Sequence, residues 1–391
     1  MNSDTPRLIS RLPTSGTTIF ATMSALAQQH GAVNLGQGFP DFEADAKLID
    51  LVSAAMRAGH NQYPPMPGLP ALREAVAAKI ERLYGHRYDP GSEITITAGA
   101  TQAILSTILA LVHPGDEVIV LEPCYDSYGP AIVLAGGRVV PVPLTPGSFD
   151  PDFSAIAAAL TPRTRAIVIN TPHNPSGSTW NAAQMRALDA LLAPTNVVLI
   201  SDEVYEHMVF DGAVHKSASR LASLAARSVV ISSFGKSFHV TGWKIGTVAA
   251  PAALSAEFRK VHQFNVFSVN TPMQHALAAY LENPAPYTTL PDFYAAKRDH
   301  FRAGLAANTS FELLPASGTY FQCVRYDTLP EPLGSMPEQD FCRWLTVDLG
   351  VAAIPLSAFY ADGFEQKVVR FCFAKRETTL DLALARLARL G

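Results

Sequence analysis

Apolar and β-branched residues fall in short runs at Ile94–Thr97, Val118–Leu121, Arg165–Asn170, Val197–Ser201, Val229–Ser232 and Gly246–Ala250. Runs of that length, bounded by turn-forming residues, predict strands buried on both faces. Between several of them apolar positions recur at helical spacing, over Thr101–Val112, Ser127–Ala135 and Ala182–Leu192. Strand and helix in alternation predict a mostly parallel sheet with crossover helices, so the middle of the chain is expected to be an α/β domain.

The order changes beyond Pro284. A long helix is predicted at Asp292–Ala307, a strand at Thr319–Val324, a helix at Glu338–Leu349, a strand at Val368–Phe373 and a closing helix from Thr378. Together they describe a smaller α+β unit. At the other end, an irregular lead-in rich in Pro, Thr and Gly precedes a short helical stretch around Met23–Gln29 and the turn-rich Gly36-Gln37-Gly38-Phe39-Pro40. The expected division is an arm at 1–40 that joins the small domain, a large domain at 41–284 and a C-terminal small domain at 285–391. No internal repeat or low-complexity tract interrupts it.

A chain of 391 residues that is 48% hydrophobic and 16% charged can bury a large core. Its formal charge of −4, with no run of lysine or arginine, argues against nucleic acid as a partner. Cys124, Cys323, Cys342 and Cys372 lie far apart with no CxxC pair, so buried reduced thiols are expected rather than a zinc site or a disulfide framework. The start, Met1 to Ser10, carries charge and proline where a signal peptide needs an apolar stretch, and no apolar run is long enough to span a bilayer. A soluble cytoplasmic protein, without membrane or metal, is the expectation.

Two local patterns point elsewhere and fail. Gly235-Lys236-Ser237 resembles the end of a phosphate-binding loop, but Val230 stands where that loop needs its first glycine. Gly235-x-Ser237 begins like a hydrolase nucleophile elbow, but His239 stands where the closing glycine belongs. No GxGxxG follows a strand, and no HExxH or EF-hand spacing occurs.

What remains is a set of polar residues at the carboxyl ends of predicted strands, where open α/β sheets place their ligands. Asn170-Thr171-Pro172-His173-Asn174-Pro175-Ser176-Gly177 ends one strand, and Ser201-Asp202-Glu203-Val204-Tyr205 ends the next. Ser232-Ser233-Phe234-Gly235-Lys236 ends a third and is followed by Thr241-Gly242-Trp243-Lys244. In this order and spacing the chain resembles the class I aminotransferases of pyridoxal-phosphate fold type I, and most closely the glutamine/kynurenine transaminase branch that includes bacterial methionine aminotransferases. The resemblance runs from Val33-Asn34-Leu35-Gly36-Gln37-Gly38-Phe39-Pro40-Asp41-Phe42 to Arg370-Phe371-Cys372-Phe373. It implies an aspartate aminotransferase-like large domain with a mostly parallel seven-stranded sheet, a smaller α+β domain, pyridoxal 5′-phosphate as cofactor, and a homodimer with shared active sites.

The resemblance also implies roles. Lys236 is the amine that bonds to the cofactor aldehyde and, once displaced, acts as a base at the substrate carbon; alone, a lysine is by default a solvated surface charge. Asp202 is the carboxylate that keeps the pyridine nitrogen protonated, although an aspartate after a strand is commonly a helix cap. Tyr205 and Asn174 match hydrogen-bond partners of the ring's phenolic oxygen, and Tyr125 matches the aromatic stacked on the ring. Gly99-Ala100-Thr101-Gln102 opens a helix whose free amides suit a phosphate; by local pattern it is an ordinary strand-to-helix turn. Ser233 and Lys244 complete the phosphate cup, and Tyr63 matches a residue reaching it from the neighbouring subunit. Arg370 matches the bidentate clamp on the substrate α-carboxylate, otherwise a strand-edge arginine in a surface pair. Asn174 and the backbone at Gly36 share that carboxylate.

Substrate side chains are expected to meet Phe20 from the arm, Tyr63, Phe267 and Tyr320. That wall suits methionine, phenylalanine or another long uncharged side chain, with a 2-oxo acid as acceptor. Ser268 and Phe20 stand where kynurenine-type relatives carry histidine and tryptophan, which counts against kynurenine. The rival within the fold is a carbon–sulfur β-lyase acting on cystathionine or cysteine conjugates. A more distant rival is a non-catalytic ligand sensor, against which both Lys236 and Arg370 stand.

Overall fold

The computed structural model describes residues 9–13 and 16–390, so most of the charged, proline-bearing start lies outside the described residues. The chain enters through α1 (Ile19–His30), capped by the Thr18 hydroxyl on the Ala21 amide. This is a longer helix than the Met23–Gln29 pattern predicts, because the cap lies ahead of the apolar stretch. Strand β1 (Val33–Asn34) follows, then helices α2 (Ala46–Arg57) and α3 (Pro70–Tyr84).

The α/β segment then unfolds in order: β2 (Ile94–Thr97), α4 (Gly99–Leu111), β3 (Glu117–Glu122), α5 (Tyr128–Leu134), β4 (Arg138–Pro143), α6 (Phe153–Ala159), β5 (Thr164–Asn170), α7 (Ala182–Leu192), β6 (Val198–Asp202), β7 (Ser228–Ser233) and β8 (Gly246–Ala249). These form one seven-stranded sheet in the order β2-β8-β7-β6-β5-β3-β4. Every pairing is parallel except those of β8, which runs antiparallel to both β2 and β7. The mostly parallel α/β architecture anticipated above is therefore what the chain adopts. Strands β2, β3 and β8 are buried at every position, which is why they read as continuous apolar runs. Strand β4 escaped that reading: it is an edge strand with two prolines and mixed exposure.

Beyond the sheet, helices at Ala252–Asn265, Thr271–Tyr280 and Leu290–Asn308 lead to a four-stranded antiparallel sheet, β12-β13-β10-β9. Its strands are β9 (Glu312–Leu313), β10 (Phe321–Arg325), β12 (Ile354–Pro355) and β13 (Val368–Cys372). The arm joins this part of the chain, since β1 pairs in parallel with β11 (Val351–Ala352). The helix predicted over Glu338–Leu349 is α-helical only to Trp344 and widens to π geometry at Leu345–Leu349. One apolar core lies between the face of the large sheet carrying α4, α5 and Phe258. A larger one covers the opposite face and continues into the small sheet. Cys124 is half-buried, the other three cysteines are buried, and all four are free.

Candidate active site

The register of the large sheet decides which residues meet. Thr97 pairs with Gly246 and Gly246 with Ser233, while Asn170 pairs with Asp202. The carboxyl ends of β2, β5, β6 and β7 thus share one edge, and the reversal of β8 brings Lys244, just before it, to the same edge. A cavity of about 420 Å³ opens there. It is lined by Gly99, Ala100, Thr101, Tyr125, Asn174, Asp202, Tyr205, Ser233, Lys236, Lys244, Arg370 and Phe20, all anticipated from the sequence.

Lys236 sits on a single helical turn, Phe234–Ser237, directly after β7. Its Nζ donates to the Gly38 carbonyl at 3.0 Å and to the Tyr320 hydroxyl at 2.7 Å, and that hydroxyl donates to the same carbonyl at 2.5 Å. Burial lowers the Lys236 amine to about 8, against the smaller opposing effect of Asp202. Asp202 closes β6 and accepts a 2.6 Å hydrogen bond from the Tyr128 hydroxyl; burial raises its carboxyl to about 6. Asn170 secures the loop behind it, donating to the Asp202 carbonyl at 2.8 Å and accepting from the Asn174 amide at 2.7 Å. The Tyr205 ring stands edge-on to Tyr320, and burial pushes its hydroxyl up.

Arg370 comes from β13 and is 1% exposed. One terminal nitrogen donates to Asn174 Oδ1 at 2.6 Å and the other to the Gly36 carbonyl at 2.9 Å, while Nε is buried without a partner. The guanidinium lies 3.9 Å from the Phe321 ring centroid and 5.4 Å from that of Phe20. Among the described residues no carboxylate forms an ion pair with it, so a buried cation stands ready for an anion.

Helix α4 presents its amino end to the same cavity. Its cap position, Ala98, offers no side-chain acceptor, and helix geometry leaves the first amides free. Gly99 has φ +78°, and a Cβ there would lie 3.3 Å from Lys244 Cε and 3.4 Å from Nζ. Lys244 itself is held at φ 56°. Gln102 does not join this group: its side chain turns back to accept from the Ala98 amide at 2.9 Å and donates to Ser106 at 2.7 Å.

Tyr63 and Phe267 do not line the cavity of their own chain. They pack edge to face on the surface, 81% and 43% exposed. Gly36 contributes only its carbonyl to Arg370, and Tyr320 reaches the cavity through Lys236. Other contributors escaped the sequence reading. Tyr128 and Asn170 act through Asp202, and Asp126 lines the cavity with a carboxyl that burial raises and Arg370 lowers. Each sits within or beside a motif already singled out, but only the fold aims its side chain. Beneath the floor lies a buried polar group in which burial pushes Glu206 up while Lys79, at 2.7 Å, holds it below the usual carboxylate range. Ser232 and Tyr84 also donate to Glu206. No helix of the described residues is long and apolar enough to cross a membrane.

Known proteins resemble the chain over nearly its whole length. The family described as aminotransferase class I and II matches residues 30–387. A methionine aminotransferase of Escherichia coli is 51% identical over 97% of this chain and 98% of its own length. A probable N-succinyldiaminopimelate aminotransferase of Mycobacterium tuberculosis is 43% identical over 98% of both chains. The crystal structure of Escherichia coli YbdL, reported to have a methionine aminotransferase function, superposes with a TM-score of 0.96 at 50% identity, covering 99% of this chain and 100% of that one.

Proposed function

The chain belongs to the aminotransferase class I and II family, and on that premise we propose that it is a pyridoxal 5′-phosphate-dependent enzyme moving an amino group from methionine to a 2-oxo acid. Other amino acids with long uncharged side chains fall within its range. The observation that carries the reading is one cavity holding a buried amine of lowered basicity, a buried carboxylate and a buried guanidinium without an acid partner.

The residues present fit the cofactor. Gly99, Ala100 and Thr101 would offer backbone amides to its phosphate, with Ser233 and the Lys244 ammonium beside them; the site has room because residue 99 lacks a side chain. Asp202, ionised above about pH 6 and fixed by Tyr128, would keep the ring nitrogen protonated. Tyr125 would lie against the ring. Asn174 spends its carbonyl oxygen on Arg370, which leaves its amide to donate to the phenolic oxygen alongside Tyr205. When bound, the group supplies an aldehyde that takes up amino groups and a ring that draws electron density from the substrate α-carbon.

The chain's own work is then positional and acid–base. Arg370 receives the substrate carboxylate in its planar fork. Lys236, its amine lowered to about 8 by burial, would take the proton from the substrate α-carbon onto its Nζ. Phe20 and Phe321 exclude water beside Arg370 and give the side chain an apolar wall. That apolar wall supports methionine over aspartate or a succinylated amine. The same reading makes the enzyme a cytoplasmic homodimer, with Tyr63 and Phe267 completing the partner's site.

Single amino acids added to purified enzyme loaded with pyridoxal phosphate test this directly. Methionine should shift the visible spectrum faster than aspartate or kynurenine, and borohydride should fix the vitamer on Lys236. An enzyme that prefers aspartate overturns the substrate assignment. Pyruvate and ammonia released from cystathionine without an acceptor acid would point to the lyase chemistry instead.

A further inference from the structure

The wall of the cavity opposite the large sheet is the segment Gly36–Phe39, and its carbonyls point alternately to two sides. On the cavity side, Gly36 accepts from Arg370 at 2.9 Å, and Gly38 accepts from Lys236 at 3.0 Å and Tyr320 at 2.5 Å. On the far side, Gln37 and Phe39 accept from one amine, Lys375 Nζ, at 3.5 and 2.8 Å. Lys375 lines a separate open groove behind the wall, is 3% exposed, and lies 5.1 Å from the Phe39 ring centroid. It forms no ion pair among the described residues, so its buried charge is met by carbonyls and one aromatic face. A buried ammonium without a counter-ion is costly, and Lys375 does not line the cavity proposed to hold cofactor and substrate.

Planar peptides link these four carbonyls. One peptide can flip while its neighbours stay in place, but turning the Gly36 carbonyl away from Arg370 would carry the φ of Gln37 toward positive values, so holding the Gln37 peptide outward restricts the Gly36 carbonyl to the cavity side. The segment is also tied by the Phe39 amide, which donates to the Gln37 carbonyl at 3.0 Å, by the Gly36 and Gln37 amides, which donate to Asn34 Oδ1 at 3.0 and 3.2 Å, and by the Cys372 amide, which donates to Leu35 at 2.7 Å. The Gln37 side chain binds Ser24 at 2.5 Å and the Phe20 carbonyl at 3.3 Å, which couples the wall to the aromatic end of α1.

We propose that Lys375 is a positioning residue for amino-acid recognition: from behind the wall it sets the carbonyl of Gly36 against Arg370, and so aims the carboxylate clamp. This rests on the function proposed above. Lys375 touches none of the reacting groups, so its loss acts on substrate binding through Arg370 and leaves the phosphate cup and Asp202 in place.

The test compares wild type with Lys375→Met, which keeps the length of the side chain and removes the charge, and with Lys375→Arg, which restores a cation. The readouts are pyridoxal-phosphate affinity by visible absorbance, the split between KM and kcat for methionine, and backbone hydrogen exchange over residues 35–40. K375M is expected to raise KM at least about tenfold with kcat changed by less than about threefold, because a displaced clamp weakens binding before chemistry. Cofactor affinity should hold, exchange over 35–40 should quicken, and K375R should recover part of the KM. Unchanged KM and exchange in K375M overturns the proposal. So does a parallel loss of cofactor affinity, kcat and melting temperature, which marks general destabilisation. If K375M does not accumulate folded, Lys375→Gln carries the same comparison. Exchange is read on cofactor-free chain, so a wild type that takes up no vitamer sinks the functional reading and leaves the exchange result to judge Lys375.

Discussion

Lys236 and Asp202 both resist ionisation, and that sets opposite pH dependences. Between its folded value of about 8 and the unfolded 10.5, Lys236 holds fewer protons folded than unfolded, so stability rises with pH across that window. Asp202, at about 6 against 3.8, holds more protons folded, so stability falls as pH rises from 3.8 to 6. Cofactor-free Asp202→Asn should therefore melt above wild type at pH 7 and level with it near pH 4. Its transamination should drop by about a hundredfold or more, since the carboxylate is needed where its burial is costly. A melting difference that ignores pH would place the burial cost elsewhere. At Arg370 the planar fork is the point: Arg370→Lys keeps the charge but should raise KM for methionine by about tenfold to a hundredfold, checked by steady-state kinetics. Lys236 and Asp202 were legible because each stands in a spaced motif at the end of an apolar strand, whereas Arg370, inside β13, was legible only through the family resemblance. Gln102 was not, because its side-chain direction is decided by Ser106 and His262, the latter far along the chain.

Among the elements, helix α4 shows how sequence pattern and geometry divide the work. Its start after β2 was legible as a strand-to-helix turn, and that Lys244 joins it was implied only by the family resemblance, because the contact itself depends on β8 returning antiparallel. Gly99→Ala tests the turn. A side chain at φ +78° costs about 1–2 kcal/mol and would press on Lys244. We expect a lower melting temperature and weaker pyridoxal-phosphate binding by visible titration, with the methionine KM of the loaded enzyme little changed. The buried strands betrayed themselves by apolar continuity, whereas β4, with its prolines and open edge, carries no such run. The widening at Leu345–Leu349 was equally silent, since α and π turns present nearly the same apolar spacing.

At the scale of the molecule, an aromatic surface is left open on one chain. Tyr63 at 81%, Phe264 at 91% and Phe267 at 43% exposure are large apolar side chains facing solvent in a single copy. If two copies share sites as proposed, mixing Tyr63→Ala protomers with Lys236→Ala protomers should restore turnover that neither variant has alone, and a strictly monomeric enzyme would show no such rescue. The reversal of β8 has its own result at this scale. Ser233, Lys236 and Lys244 ride on one short stretch bracketed by two paired strands, so their mutual spacing is fixed however the rest of the protein shifts. One jaw of the cavity is thereby rigid, and any widening or narrowing around a passing amino acid falls to the other, formed by Phe20, Gly36–Phe39 and Arg370.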